Sequence, residues 1–167
     1  VPKNGLVDIV AALKFLPPQI KFLNVGGGGD KQKLLDAAKE AGVESRVILI
    51  DYVEHAKMAN YLHAADIFIR PSLSEGLGNS FLEAMAAGLP VIGTNVGGIP
   101  DFLKDNETGF FCEVNNPQSI AGKVKLLIDD GQLKQKIITA GRALVREKYN
   151  WNNIAPQMGE IFEKLAK

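Results

Sequence analysis

The stretch from residue 66 to residue 94, DIFIRPSLSEGLGNSFLEAMAAGLPVIGT, decides the fold. It begins with a short apolar run (66–70) and passes through a loop that contains two glycines. It then continues as a helix-forming run (80–88) and closes on a second apolar run (91–94). Two strands joined by a helix form a crossover unit in which the strands are parallel. The stretch therefore predicts a parallel sheet covered by helices.

The same alternation extends through the rest of the chain. Further predicted strands cover 20–25, 46–50 and 109–114, and they are almost continuously apolar, as strands buried on both faces are. The predicted helices cover 5–16, 30–41, 56–65, a short segment from Pro100, 117–129, 131–148 and the tail after Trp151-Asn152. This order predicts a single α/β domain over residues 1–167, a doubly wound parallel sheet of the Rossmann-like kind.

Composition excludes several classes of protein. The 167 residues contain 19 basic and 19 acidic side chains, so the net charge gives no sign of a nucleic-acid partner. The single cysteine, Cys112, lies in an apolar run and is predicted to be a buried thiol rather than half of an internal disulfide. No apolar run reaches the ~18 residues of a membrane span, and the first residues lack a signal-peptide pattern. We therefore expect a soluble, cytoplasmic protein.

Four consecutive glycines, residues 26–29, follow the first predicted strand. Glycine lets the backbone approach a phosphate or a neighbouring chain closely. Because position 31 is Lys31, the run does not match the dinucleotide fingerprint G-x-G-x-x-G, and it does not match the phosphate loop of P-loop hydrolases. Dinucleotide oxidoreduction and P-loop hydrolysis are therefore disfavoured. Two interpretations of the four glycines remain open: a plain turn, or a loop that contacts a ligand.

Two glutamates in the opening stretch, Glu75 and Glu83, lie eight positions apart. Ser80 and Glu83 have the S-x-x-E spacing of a capping box, so Glu83 can complete the start of its own helix. Glu83 can also accept hydrogen bonds from the two hydroxyls of a ribose. Glu75 lies in a loop, where its side chain is either simply exposed to solvent or in contact with a ligand. Between the two, residues 76–80 bring backbone N–H groups to a helix N-terminus, which suits a diphosphate.

Sugar, diphosphate and ribose follow one another in a nucleotide sugar, and these features would bind them in that order. A metal centre does not compete with this interpretation, since His55 and His63 have no third ligand nearby in the sequence. The sequence provides no spacing typical of a catalytic triad either.

The chain resembles a known family over essentially its whole length. The resemblance is carried by PSLSEGLGNSFLEAMAAGLPVIGTNVGGIPDFL (71–103), by the segments on either side, AADIFIRPS and NETGFFCEVNNPQSIA, and by VGGGGDKQKLLDAAKEAGVESRVILIDYV (25–53). Together they are similar to the donor-binding C-terminal half of retaining glycosyltransferases of group 1, which have the GT-B fold. This resemblance implies sugar transfer from a UDP-, GDP- or ADP-sugar to an acceptor hydroxyl, with no metal or other cofactor.

The resemblance also implies roles for individual residues. Glu75 would contact the donor sugar near the reacting carbon, Lys3 would neutralise the departing diphosphate, and Glu83 would bind the ribose. The main chain at Val53 would read the nucleobase. The remaining donor-binding positions are two loops, formed by Gly26 and Gly27 and by Gly76, Leu77, Gly78, Asn79 and Ser80.

The chain departs from the family pattern near its start. Asn4 stands directly before Gly5, where the family commonly has lysine, so that Lys3 lies one position back. The partner arginine expected just upstream, and the strand that would carry it, do not precede this motif in the sequence. We therefore expect a sheet that is short at a central position and has an exposed edge.

The acceptor half of such an enzyme is N-terminal, so residues 1–167 are expected to bind a donor without transferring its sugar. The resemblance makes this N-terminal domain the partner of the chain, and allows peripheral contact with the cytoplasmic face of a membrane through it. Two other functions stay open. One is a GT-B nucleotide-sugar epimerase, and the other is a non-catalytic module that binds nucleotide sugars.

Overall fold

The computed structural model describes residues 4–26 and 29–166. Its strands are β1 (Phe22–Val25), β2 (Val47–Ile50), β3 (Phe68–Arg70), β4 (Val91–Thr94) and β5 (Phe110–Cys112). Its α-helices are α1 (Leu6–Ala12), α2 (Lys31–Ala41), α3 (Met58–His63), α4 (Asn79–Ala87), α5 (Ile99–Phe102), α6 (Pro117–Asp129), α7 (Gly131–Lys148) and α8 (Trp151–Leu165). The α/β alternation predicted from the sequence is confirmed.

The strands form two parallel groups. Strand β1 pairs with β2, and β4 lies between β3 and β5. A cavity of about 970 Å³ lies between β1 and β3, and residues of both strands line it. The half-buried side chains of Met58, Tyr61, Leu62 and Ala65 also line this cavity. Within the described residues, the sheet is thus interrupted between β1 and β3. This agrees with the expectation of a sheet that is short at a central position.

Two apolar cores pack against these strands. One lies among α1, α2 and α6 and includes Val10, Leu13 and Leu34. The other surrounds α4 and includes Phe81 and Phe102, both fully buried. The second core fixes the orientation of α4, because apolar side chains along one face of the helix are enclosed while the other face stays exposed.

The first helix is shorter than its predicted range of 5–16. Helix α1 ends at Ala12 and continues as one 3-10 turn, Leu13–Phe15. Pro17 disfavours helical geometry at the residue before it, so the helix closes early. The Arg46 side chain donates hydrogen bonds to three carbonyl oxygens, those of Leu13, Pro17 and Ile20, at 2.7, 2.8 and 2.9 Å. These bonds connect the segment after α1 to the residue that precedes β2.

Helix α8 has no buried residue, although it is 15 residues long. Trp151, Ile161, Phe162 and Leu165 are all exposed. Across 4–26 and 29–166, no helix is both long enough and apolar enough to cross a bilayer.

Candidate functional site

The loop of residues 71–78 joins the carboxyl end of β3 to α4. Pro71 and Ser72 are buried where the loop leaves the strand, and the Thr94 hydroxyl at the end of β4 donates to the carbonyl of Ser72. The loop ends at Gly78, which has a left-handed φ of 73° and takes the N-cap position of α4. Such a backbone conformation favours glycine, so Gly78 determines where the helix begins.

A second loop, after β4, supports the first one by direct backbone contact. The amide of Gly98 donates to the carbonyl oxygen of Gly76 at 3.0 Å. A Cβ atom at Gly97 would overlap the carbonyl oxygen of Glu75, and one at Gly98 would overlap that of Gly76. The glycine pair is therefore required for the two loops to lie this close.

The Glu75 side chain is 16% exposed and is surrounded by three polar contacts. Its Oε2 atom lies 3.2 Å from Nε of Arg70 and accepts a hydrogen bond from the Ser72 hydroxyl at 3.3 Å. Its Oε1 atom accepts from the Gly76 amide, also at 3.3 Å. The Arg70 Nε atom is buried and has no hydrogen bond of suitable geometry, so its contact with Glu75 is an ion pair held by charge.

Glu83 does not belong to a capping box. Because α4 begins at Asn79 with Gly78 as N-cap, Ser80 lies inside the first turn and no side chain caps the helix. The Ser80 hydroxyl instead accepts a hydrogen bond from Nη1 of Arg70 at 3.0 Å. Glu83 is exposed and lines the large cavity together with Ser80 and Arg70. Glu75 does not line this cavity, but it contacts one of its lining residues, Arg70, from the loop side.

The other loop residues named from the sequence surround the helix start. Gly76, Leu77 and Asn79 are exposed, whereas Gly78 is buried. The first N–H groups of any helix lack intrahelical acceptors, and the helix dipole adds a partial positive charge there. The junction of loop and helix is therefore suited to an anion.

Two further candidate residues, Gly26 and Val53, follow the carboxyl ends of β1 and β2. Gly26, with φ 130°, follows β1, and its amide donates to the carbonyl of Ile50 at 3.1 Å. It lines a smaller cavity of about 200 Å³ together with Asn4. Val53, half-buried, lies in the loop after β2. Two further candidates, Lys3 and Gly27, lie outside the described residues.

Sequence reasoning missed Arg70 as a member of this site. The side chain contacts Glu75 and Ser80, and its Nη2 atom also donates to Oδ1 of Asn4 at 3.1 Å. The available signal was a charged residue at the end of an otherwise apolar strand, directly before the loop that carries Glu75.

Fold and site together define a Rossmann-like α/β domain in which the start of α4, at the carboxyl edge of the strands, is suited to binding an anion. The family model described as "Glycosyl transferases group 1" matches residues 1–144. The chain belongs to this family.

Individual relatives agree with this assignment. The chain is 31% identical over 162 residues to the N-acetyl-alpha-D-glucosaminyl L-malate synthase of Bacillus anthracis, which covers 96% of the chain. The chain spans 42% of the length of that synthase.

Solved structures show the same fold. The C-terminal domain of a group 1 family glycosyl transferase from Francisella tularensis is 30% identical with a TM-score of 0.80, over 90% of this chain and 82% of that one. The Anabaena protein HepE in complex with UDP and glucose has a TM-score of 0.92 at 24% identity, over 98% of this chain and 46% of that one. These matches establish a GT-B-type half-domain fold.

Proposed function

We propose that this chain is the donor-binding half of a retaining glycosyltransferase, which transfers a sugar from a nucleoside-diphosphate sugar to an acceptor hydroxyl. The observation that carries the proposal is the junction of residues 75–80. There, α4 begins without a side-chain cap; the partly buried carboxylate of Glu75 lies in the loop before it, and the exposed carboxylate of Glu83 lies within it. A diphosphate at the helix start would have its sugar toward Glu75 and its ribose toward Glu83.

The charges at this junction suit an anionic ligand. Two carboxylates close to a diphosphate would repel it, but the Arg70 guanidinium pairs with Glu75 and offsets its charge. Glu83 is exposed, so that water screens its charge. The dipole of α4 then acts on the diphosphate with little opposition.

In the proposed reaction, the helix start stabilises the negative charge that develops on the departing diphosphate. Preorganised hydrogen-bond donors of this kind make the largest single contribution to the rate enhancement of many enzymes. We assign Lys3 to neutralising the same charge. Contacts with the diphosphate and sugar are assigned to Gly76, Leu77, Gly78, Asn79 and Ser80. Gly26 and Gly27 would face the cleft, and the main chain at Val53 would contact the base. The donor is a UDP-, GDP- or ADP-sugar, and no further cofactor takes part.

The relatives support this proposal by the names and ligands they carry. The Bacillus anthracis relative is named as a synthase of a glucosaminyl product, and the Anabaena structure holds UDP and glucose. In this proposal, residues 1–167 are one half of the protein, and its N-terminal domain supplies the acceptor site. The isolated half binds the donor without turning it over.

Calorimetric titration of the chain with UDP, GDP, ADP and their sugars tests the proposal. We expect one nucleotide series to bind, Glu83→Gln to weaken binding of the nucleoside diphosphate, and Glu75→Gln to weaken only the added contribution of the sugar. Glu40→Gln, at an exposed position near the end of α2, is the matched control and should bind as the wild type does. Absence of binding in every series, or equal binding by all three variants, contradicts the proposal.

A second assay separates transfer from epimerisation. The complete protein is incubated with a labelled donor in the presence and absence of acceptor. Transfer predicts a labelled acceptor product and an unchanged sugar configuration in the unreacted donor. A new nucleotide-sugar epimer formed without acceptor would contradict the transfer function.

A further inference from the structure

Arg70 ends strand β3 with a charged side chain directly after the apolar residues Phe68 and Ile69. The side chain is only 30% exposed, and a charge in such a place is costly unless it is paired. Its guanidinium reaches three separate segments of the chain. These are the segment before α1, the loop after β3 and the first turn of α4, through Asn4, Glu75 and Ser80.

Arg70 is the polar partner of the Glu75 carboxylate that belongs to a strand of the sheet. Its two hydrogen-bonding partners, Ser72 and Gly76, are both 3.3 Å away, which is longer than the ~2.7–2.9 Å typical of charge-assisted bonds. The Gly76 amide belongs to the same loop as Glu75 and is its neighbour in the chain. Because Arg70 belongs to a strand, its charge holds the carboxylate in position relative to the sheet.

The same guanidinium also fixes the first turn of α4. Its Nη1 atom binds the Ser80 hydroxyl at 3.0 Å, while its Nε atom faces Glu75 at 3.2 Å. Guanidinium is planar and presents its donors in a rigid fork, unlike the single ammonium of lysine. The distance between the loop carboxylate and the helix start is therefore determined by one rigid group.

We propose that Arg70 is a positioning residue of the donor site. It acts through Glu75 and Ser80, holding the carboxylate at a fixed spacing from the helix start and compensating its charge. The inference rests on the proposed function, because that function assigns these two elements to the donor sugar and its diphosphate.

The test uses the complete transferase with Arg70→Met and Arg70→Lys, and the donor is the nucleotide sugar that the wild type binds. We expect Arg70→Met to lower kcat on the order of 10²-fold, the loss that a small misplacement of reacting groups produces. Binding of the nucleoside diphosphate, which has no sugar, should change far less, because the backbone donors of α4 and Glu83 remain. Arg70→Lys should recover part of kcat, since it keeps the charge beside Glu75 but not the fork.

Arg46→Met is the matched control, because Arg46 is a half-buried arginine that binds only backbone carbonyls at the other end of β1. It should lower the melting temperature and leave kcat of the folded enzyme unchanged. The inference is overturned if Arg70→Met lowers kcat no more than Arg46→Met does, or if Arg70→Lys is as impaired as Arg70→Met.

If Arg70→Met does not fold, Arg70→Lys decides the matter alone, and a wild-type kcat in that variant overturns the role of the fork. The two proposals fail in distinguishable ways. Absence of nucleotide-sugar binding by the wild type overturns both, whereas normal transfer by the wild type and by Arg70→Met overturns only the role of Arg70.

Discussion

Gly97 lies so close to Glu75 that a Cβ atom at position 97 would overlap the carbonyl oxygen of Glu75. Gly97 also has a left-handed φ of 55°, a conformation that costs other residues roughly 1–2 kcal/mol. The position of the Glu75 loop is thus set by a neighbouring loop as well as by its own sequence.

Gly97→Ala is therefore expected to displace the Glu75 loop. We expect kcat/KM of the complete enzyme to fall on the order of 10²-fold, because the sugar-contacting carboxylate moves relative to the helix start. Gly122→Ala is the control, since Gly122 lies in α6 with open space around its Cβ position. That change should raise the free energy of unfolding by roughly 0.5–1 kcal/mol, as alanine does in a helix interior, and leave activity intact. Equal activity of the two variants would contradict the role of the loop contact.

Glu83→Ala separates ligand binding from helix capping. Because Gly78 is the N-cap of α4 and no capping box forms, removal of the Glu83 side chain should change the free energy of unfolding by no more than about 0.5 kcal/mol. Affinity for the nucleoside diphosphate should fall.

Asp130→Ala provides the comparison for a true cap. The Asp130 carboxylate accepts a hydrogen bond from the Leu133 amide at 2.9 Å at the start of α7, so its loss should cost about 1 kcal/mol. Urea unfolding of both variants gives these values. A cost for Glu83→Ala as large as that for Asp130→Ala would show that the side chain has a structural role.

The sequence predicted the elements better than their junctions. The predicted strand at 91–94 is β4 itself, because a continuous apolar run between Pro90 and a turn leaves little choice of ends. The start of α4 was less certain, since Ser80 offers a capping pattern while Gly78 offers a left-handed turn two residues earlier. In the structure Gly78 is the N-cap, so the Ser80 hydroxyl is not needed as a cap and accepts a hydrogen bond from Arg70.

The contacts that assemble the site could not be read from local patterns. Arg70 and Asn4 are 66 positions apart, and only the arrangement of β3 beside the start of α1 brings them to 3.1 Å. The support of Glu75 by Gly97 likewise depends on β4 lying next to β3. Periodicity identifies which residues form a strand, but the order of strands in the sheet decides which loops meet.

Phe81 is expected to be a main support of α4. It is fully buried, and its ring lies 5.2 Å from that of Phe68 and 5.6 Å from that of Phe102, centroid to centroid. Phe81→Ala would leave a cavity in this core and should cost roughly 3–5 kcal/mol. Phe162→Ala, on the exposed face of α8, is the matched control and should stay within about 0.5 kcal/mol of the wild type. Chemical denaturation measures both, and a small cost for Phe81→Ala would show that this core is loosely packed.

Cys112 makes stability depend on alkaline pH. The thiol is buried at the end of β5 and donates to the carbonyl of Gly93 at 3.3 Å. Burial raises the pKa of Cys112 from its ordinary 9.0 to about 12, because the thiolate would lose its hydration. Between these two values the folded protein keeps a proton that the unfolded chain releases. The contribution of this proton is therefore complete below pH 9.0 and is lost as pH rises toward 12.

The comparison of wild type with Cys112→Ala isolates this contribution from the lysines and tyrosines that titrate in the same range. Near neutral pH, the variant should be less stable by a constant amount that reflects lost packing. Above pH 9.0 the difference should shrink by up to about 1.4 kcal/mol per pH unit, the value for one proton. Urea unfolding at a series of pH values measures the difference. A constant difference from neutral pH to about pH 10.5 would mean that the thiol ionises as easily in the folded protein as in the unfolded chain.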